Sequence, residues 1–274
     1  MSNDVMQVII SGSRNLYPYF PCMYESLFKF NPDAQLWILM EDAQLPYETP
    51  KNVRCVDVSK QRLFLKDGVN SKSPFTYLAM IRAAYSILFT GEPNACGVEP
   101  LPKLTKALSL DCDVVVCDSL KPIWDVDLTD KWFAAVAEYP DDSRPYGRDS
   151  IYHNAGCMVM NLEQMRVDRV AERAIELLNK KKFIFLDEQV LNLLNMGECD
   201  TKCVDLHPRW NQTENSVTLT LDVGICHYAG YKDVWKQPPE NVYRWHYLEP
   251  WLKYAKEREC REYWEKHHAC ITSM

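Results

Sequence analysis

Runs of apolar residues alternate along this chain with segments whose apolar positions recur at helical spacing, the pattern of a layered α/β fold. Residues 5–11 read as the first strand, and residues 20–30 as a helix with Pro21 tolerable in its first turn. Residues 35–40 and 53–58 are short buried strands. A helix opens at Ser73-Pro74 and runs to Phe89. Residues 91–103 carry three prolines and two glycines and form a loop. Residues 107–110 and 114–117 flank an acidic pair inside one strand-like run, and 132–137 is another strand. Residues 139–153 are polar, with Pro140, Pro145 and Gly147, and predict a long surface loop. Residues 155–160 are apolar throughout, as a buried strand should be.

Asn161 and Gln164 have the spacing of a helix cap with its reciprocal partner. Leu162, Met165, Val170, Ala174, Leu177 and Leu178 follow as one apolar helical stripe. Lys180, Lys181 and Lys182 suit a solvated helix end. Residues 187–196 predict a short helix stopped by Gly197, and 223–228 a late strand. Residues 248–268 form a helical tail rich in Tyr and Trp. Its five acidic and five basic residues between Glu249 and Lys266 mark a packing element, not an anchor on an anionic membrane.

Charge and cysteine usage narrow the class. The 274 residues carry a formal net charge of −7, which argues against a nucleic-acid binder relying on a basic face. No basic region precedes a long apolar run at the N-terminus, and no apolar stretch is long enough to span a bilayer. The eleven cysteines are odd in number, and several lie in apolar runs. They suit reduced, buried thiols in a cytoplasmic protein. Cys199 and Cys203 have no second pair nearby to complete a zinc site, and Asn211-Gln212-Thr213 matches a glycosylation pattern that has no meaning in the cytoplasm.

The sharpest chemical feature is Asp111-Cys112-Asp113 at the end of an apolar run. Side chains two apart leave a strand on the same face, roughly 7 Å apart, and two such carboxylates can hold one hard divalent cation. Asn154-Ala155-Gly156 feeds a polar turn into an apolar strand, where small residues admit close approach of a ligand. Asp187-Glu188-Gln189 places two acids and an amide at a helix start, which the helix dipole alone could explain. His227-Tyr228-Ala229-Gly230-Tyr231-Lys232 puts an imidazole at a strand end, followed by Gly and Lys.

These four motifs, in this order, resemble glycosyltransferase family 8. The resemblance implies a GT-A fold: one nucleotide-sugar-binding α/β domain, residues 1–240, with a mixed central sheet flanked by helices, and a helical C-terminal tail, residues 241–274. It implies a retaining enzyme that moves a hexose, glucose or galactose, from a UDP-sugar donor to a hydroxyl acceptor with Mn²⁺ or Mg²⁺. The acceptor, whether saccharide, lipid-linked or protein, is not readable. Asp111, Asp113 and His227 match the metal ligands, and a His ligand tilts the choice to Mn²⁺. Asp111 and Cys112, with Asn154, Ala155 and Gly156, match the donor pocket. Asp187 matches an acid that contacts the sugar, and Gly230 a backbone contact to the diphosphate.

Several positions depart from the family pattern. Around Ser11, Ser13 stands where an Asp contacts the uracil, though Asn15 fits. Ala79 replaces an Arg, which makes Arg82, one turn on, a candidate donor contact. Lys232 comes one residue early and is the expected diphosphate cation. Glu188 stands where Gln is common; a carboxylate there could be a nucleophile, whereas an amide could not. The loop 139–153 is expected to close over donor or acceptor. Two other readings compete. A haloacid-dehalogenase-type phosphatase would use Asp111 as nucleophile, with Asp141-Asp142 imitating its later acids, but gives Asn154 and His227 no role. A nucleotide-sugar-binding module without transfer is the third.

Overall fold

The computed structural model describes residues 5–73, 76–93, 95–138, 151–213 and 222–229. Strand β1 (Gln7–Ser11) lies parallel to β2 (Gln35–Met40), and β2 is parallel to β3 (Val53–Asp57). On its other side β1 is parallel to β4 (Lys106–Leu110). Beyond it the sheet reverses: β7 (Tyr152–Asn161) is antiparallel to both β4 and β6 (Phe133–Glu138), and β8 (Cys203–Leu206) closes the edge parallel to β6. The order β3-β2-β1-β4-β7-β6-β8 is the mixed central sheet that the family resemblance implied. β7 has neighbours on both sides and both faces covered, which is why its run is apolar without alternation.

One core fills each face. Helix α1 (Phe20–Phe30) covers one face together with β5 (Val114–Val116), through Phe20, Met23, Leu27 and Ile123 of α4 (Lys121–Trp124). The other face is covered by α2 (Tyr77–Met80) and α3 (Tyr85–Leu88), and by α5 (Leu162–Val167), α6 (Val170–Lys180) and α7 (Leu186–Met196). No helix among the described residues is long and apolar enough to cross a membrane.

Three predicted elements are divided in the structure. The helix expected from Ser73 starts at Tyr77, capped by the Thr76 hydroxyl, and tightens into a 3-10 turn over Ile81–Ala84, where every side chain is buried. The stripe from Leu162 is two helices. The Asp168 carboxylate accepts bonds from the Trp132 indole at 2.6 Å and the Gln164 amide at 3.0 Å, and Arg169 then turns the chain with a φ of 52°. The strand-like run through Asp111 breaks at the carboxylates, which a buried sheet cannot carry on. β4 stays in the main sheet, while β5 joins β9 (Ile225–His227) in a separate antiparallel pair.

The loop expected over 139–153 is shorter at its end: Tyr152 and His153 belong to β7, opposite Glu138 and Ala137. Residues 139–150, the tail 241–274, Gly230 and Lys232 lie outside the described residues. β8 and the 3-10 turns Arg14–Tyr19 and Pro208–Trp210 were not predicted, being too short for periodicity to show.

Candidate active site

The site grows from an irregularity in β7. Ala135 of β6 pairs with Met158, but its neighbour Val136 pairs with Asn154, so residues 155–157 swing away from β6. Their backbone groups need other partners. The N–H of Ala155 donates to Glu188 Oε2 at 2.9 Å, and its carbonyl accepts from the Arg82 guanidinium. The N–H of Gly156 donates to Asn154 Oδ1 at 2.8 Å, and its carbonyl accepts from the Asp111 N–H at 3.0 Å. The Asn-Ala-Gly segment is thus a bulge whose main chain gathers four site residues.

Asp111 and Asp113 sit in the turn between β4 and β5. The register Val114↔His227, with the Tyr228 N–H on the Asp113 carbonyl, brings the His227 ring over both carboxylates. Its Nε2 lies 3.4 Å from an oxygen of each. One donor atom from each of these three residues falls within 4.8 Å of the other two. Burial alone would lower the His227 imidazole, but Asp113 and Asp111 outweigh it and raise it to about 10. Burial likewise opposes ionisation of Asp111, yet Arg82 and His227 hold it below the ordinary carboxylate range.

Two carboxylates and an imidazole so placed could hold one divalent cation. His227 Nδ1 is bonded to Asn211 Oδ1 at 2.8 Å, leaving Nε2 to face the carboxylates, as metal-bound imidazoles require. A second cluster, His153, Cys203 and Asp205, lacks this support. Its His153 Nε2 is taken by Asp205 at 2.7 Å, while the buried Nδ1 has no hydrogen-bond partner. That geometry is a plain Asp–His pair.

Arg82 is buried and turned toward two acids, Asp111 through a direct hydrogen bond and Asp187, whose Oδ2 lies 3.5 Å from Nε. Its Nε is buried without a hydrogen bond, and its charge serves as an internal counter-charge to the acidic site. Asp187 and Glu188 open α7 after Leu186, which holds a φ of 40° and turns the chain sharply inward. Glu188 does not point to solvent as a helix-start acid would. Oε1 accepts from the Tyr152 hydroxyl at 2.8 Å and Oε2 from Ala155. Burial, with Glu138 nearby, pushes Glu188 up to about 7, and burial pushes Asp187 to about 6 despite Arg82.

The remaining expectations fall at the rim. The Ser11 hydroxyl donates to the Leu78 carbonyl at 2.8 Å, and the Ser13 hydroxyl to Asn15 Oδ1 at 2.6 Å. All three lie at the carboxyl end of β1, beside the end of β4 that carries Asp111. Cys112 is partly buried between the two aspartates and packs on the α1-side core. Four residues were missed. Asn211 holds His227, Glu138 accepts from Asn154 Nδ2 at 2.8 Å, Tyr152 holds Glu188, and Asn192 brackets the His153 backbone with two bonds of 2.8 Å. Asn211 could have been noticed as an amide next to a buried Trp; the others depend on long-range contacts.

Comparison with known proteins identifies the family and the fold. The model of the family "Glycosyl transferase family 8" matches residues 98–252, more than half of the chain, and the chain belongs to that family. It is 24% identical over 256 residues to a putative glycosyltransferase of Haemophilus influenzae, across 85% of this chain and 74% of that protein. Its fold is similar to galactosyltransferase LgtC in complex with donor and acceptor sugar analogues. The TM-score is 0.66 and the identity 19%, covering 94% of this chain and 100% of that one. An active-site Gln-to-Glu mutant of LgtC is similar at a TM-score of 0.64 and 20% identity, over 89% and 95% of the two chains. The fold is therefore of the GT-A type and the chain a glycosyltransferase, which sets aside the phosphatase reading.

Proposed function

We propose that this glycosyltransferase moves a hexose, glucose or galactose, from a UDP-sugar to a hydroxyl acceptor, with retention of configuration and dependence on Mn²⁺. The observation that carries this reading is the convergence of Asp111, Asp113 and His227, from two different strand ends, on one point beside the Asn154 bulge. A divalent ion held there supplies positive charge for a departing diphosphate. Lys232 is assigned to the same diphosphate, and Gly230 to a backbone contact with it. Ser11, Ser13, Asn15 and Cys112 are assigned to the nucleotide side, and Asn154, Ala155, Gly156 and Asp187 to the donor sugar.

The acceptor hydroxyl attacks the anomeric carbon from the face that the diphosphate leaves as the bond from that carbon to the diphosphate oxygen breaks, its proton passing to the departing diphosphate, so configuration is retained. Glu188 lies against the same bulge, its carboxylate held by Tyr152 and Ala155. In its ionised form Glu188 could act as nucleophile or as stabiliser of positive charge at the anomeric carbon. Arg82 keeps Asp111 and Asp187 together and charged.

The test is a donor panel: purified protein with each common UDP-sugar and one GDP-sugar, with Mn²⁺, followed by nucleotide release. Slow hydrolysis of one UDP-hexose, abolished by a chelator and by Asp113→Asn, is the expected result. Release only from a GDP-sugar would overturn the base assignment. Tight UDP-sugar binding with no release under any acceptor would favour a binding module that has lost transfer.

A further inference from the structure

Hydrogen-bond polarity runs through the site in one direction, and it starts at a group whose role is fixed. The Gly156 backbone N–H can only donate, so the Asn154 atom that receives it at 2.8 Å is the side-chain oxygen. The Asn154 nitrogen therefore donates to Glu138 at 2.8 Å. The same Asn154 oxygen is met at 2.6 Å by Asn211, which must present its nitrogen there. The Asn211 oxygen is then left facing His227 Nδ1 at 2.8 Å. An oxygen that only accepts requires a hydrogen on Nδ1. Nε2, 3.4 Å from an oxygen of both Asp111 and Asp113, is thereby the nitrogen left to the site: it carries a hydrogen toward the carboxylates without a metal and offers its lone pair once a divalent ion takes that proton's place. Asn154, Asn211 and His227 are all at least nine-tenths buried, so water does not compete for these bonds.

We infer that Asn211 is a positioning residue. Its amide fixes the His227 tautomer for metal binding and, through its other end, locks the donor-pocket Asn154 to the metal centre. This rests on the metal reading above. Binding of the ion and order in the sugar pocket are then parts of one unit. An aliphatic residue at 211 would leave both His227 Nδ1 and Asn154 Oδ1 short of a partner.

The experiment measures Mn²⁺ affinity from the electron paramagnetic resonance of the free ion. It also records the nitrogen-15 spectrum of the Mg²⁺-saturated protein, where Nδ1–H of a held imidazole is visible. Asn211→Ala is expected to weaken Mn²⁺ binding about 10–100-fold and to lose the His227 Nδ1–H resonance. Asn211→Asp still accepts from Nδ1–H but no longer donates to Asn154. It is expected to keep the resonance and to bind Mn²⁺ at least as tightly as the alanine variant. Wild-type Mn²⁺ affinity in Asn211→Ala, or loss of the resonance in folded Asn211→Asp, overturns the assignment. His227→Ala separates the two levels. If it leaves Mn²⁺ binding intact, the metal site itself is misplaced. If it abolishes binding while Asn211→Ala does not, only the positioning role fails.

Discussion

Gly156 and His227 touch so closely that a Cβ on the glycine would meet the imidazole at 2.1 Å from Cε1 and 2.2 Å from Nδ1. The small residue in Asn-Ala-Gly makes room for a side chain of this protein, where the sequence suggested room for a ligand. Gly156→Ala is expected to displace His227 and reduce metal-dependent activity by two orders of magnitude or so, in line with losses from misplaced catalytic groups. Overpacking should cost about 1–3 kcal/mol of stability. Mn²⁺ titration and thermal unfolding of the variant check both; unchanged Mn²⁺ affinity would contradict the contact.

Arg82 stands between Asp111 and Asp187, both turned toward it from different elements. Removing the cation leaves two carboxylates in a low-dielectric site. Arg82→Met should destabilise the fold by about 3–5 kcal/mol, read as a shift of the urea midpoint. Arg82→Lys should recover only part of the loss, because an ammonium cannot reach both acids and the Ala155 carbonyl as a planar fork does. A loss below about 1 kcal/mol in Arg82→Met would show the ion pairs to be incidental.

Glu188 sets a pH dependence. Its folded-state pKa is raised to about 7, by burial and by Glu138, whereas an unfolded chain releases that proton near 4.3. Folding therefore takes up a proton between those values, and stability falls as pH rises through that window. Asp187, raised to about 6, acts in the same sense over a narrower range. Glu188→Gln removes the larger contribution while keeping an acceptor for the Ala155 N–H. It should flatten the melting temperature between pH 5 and pH 7 and gain about 1–3 kcal/mol at pH 8. Turnover is the second readout: if Glu188 is a nucleophile, the variant loses it, and undiminished turnover would sink that role. Melting curves that fall as steeply in the variant as in the wild type would contradict the assigned pKa.

Much of the fold was legible because its signals are local. Buried strands such as β2 and β7 announce themselves as uninterrupted apolar runs, and α1 and α6 as stripes. What was not legible depends on partners far along the chain. The acids mark where the strand through Asp111 stops, but nothing near them says that β5 should leave for β9, and Arg169 turns the chain because Trp132 holds Asp168. At the site, Asp111, Asp113, Asn154, Asp187, Glu188 and His227 were found from short motifs, and the structure gathers them. Arg82, a candidate donor contact from the sequence, braces Asp111 and Asp187 in the structure. Asn211, Glu138 and Tyr152 were missed because a lone amide, acid or phenol carries no pattern until the bulge of β7 brings it to Asn154 and Glu188.

Asp111, Asp113 and His227 are proposed to hold a divalent ion through which the chain binds a nucleotide diphosphate. Calorimetric titration of UDP into the protein, with and without Mn²⁺, tests this most directly, with Asp113→Asn alongside. UDP is expected to bind only with Mn²⁺, and not to the variant, whose fold is kept. Equal UDP binding with and without the metal, or wild-type binding in Asp113→Asn, would contradict it.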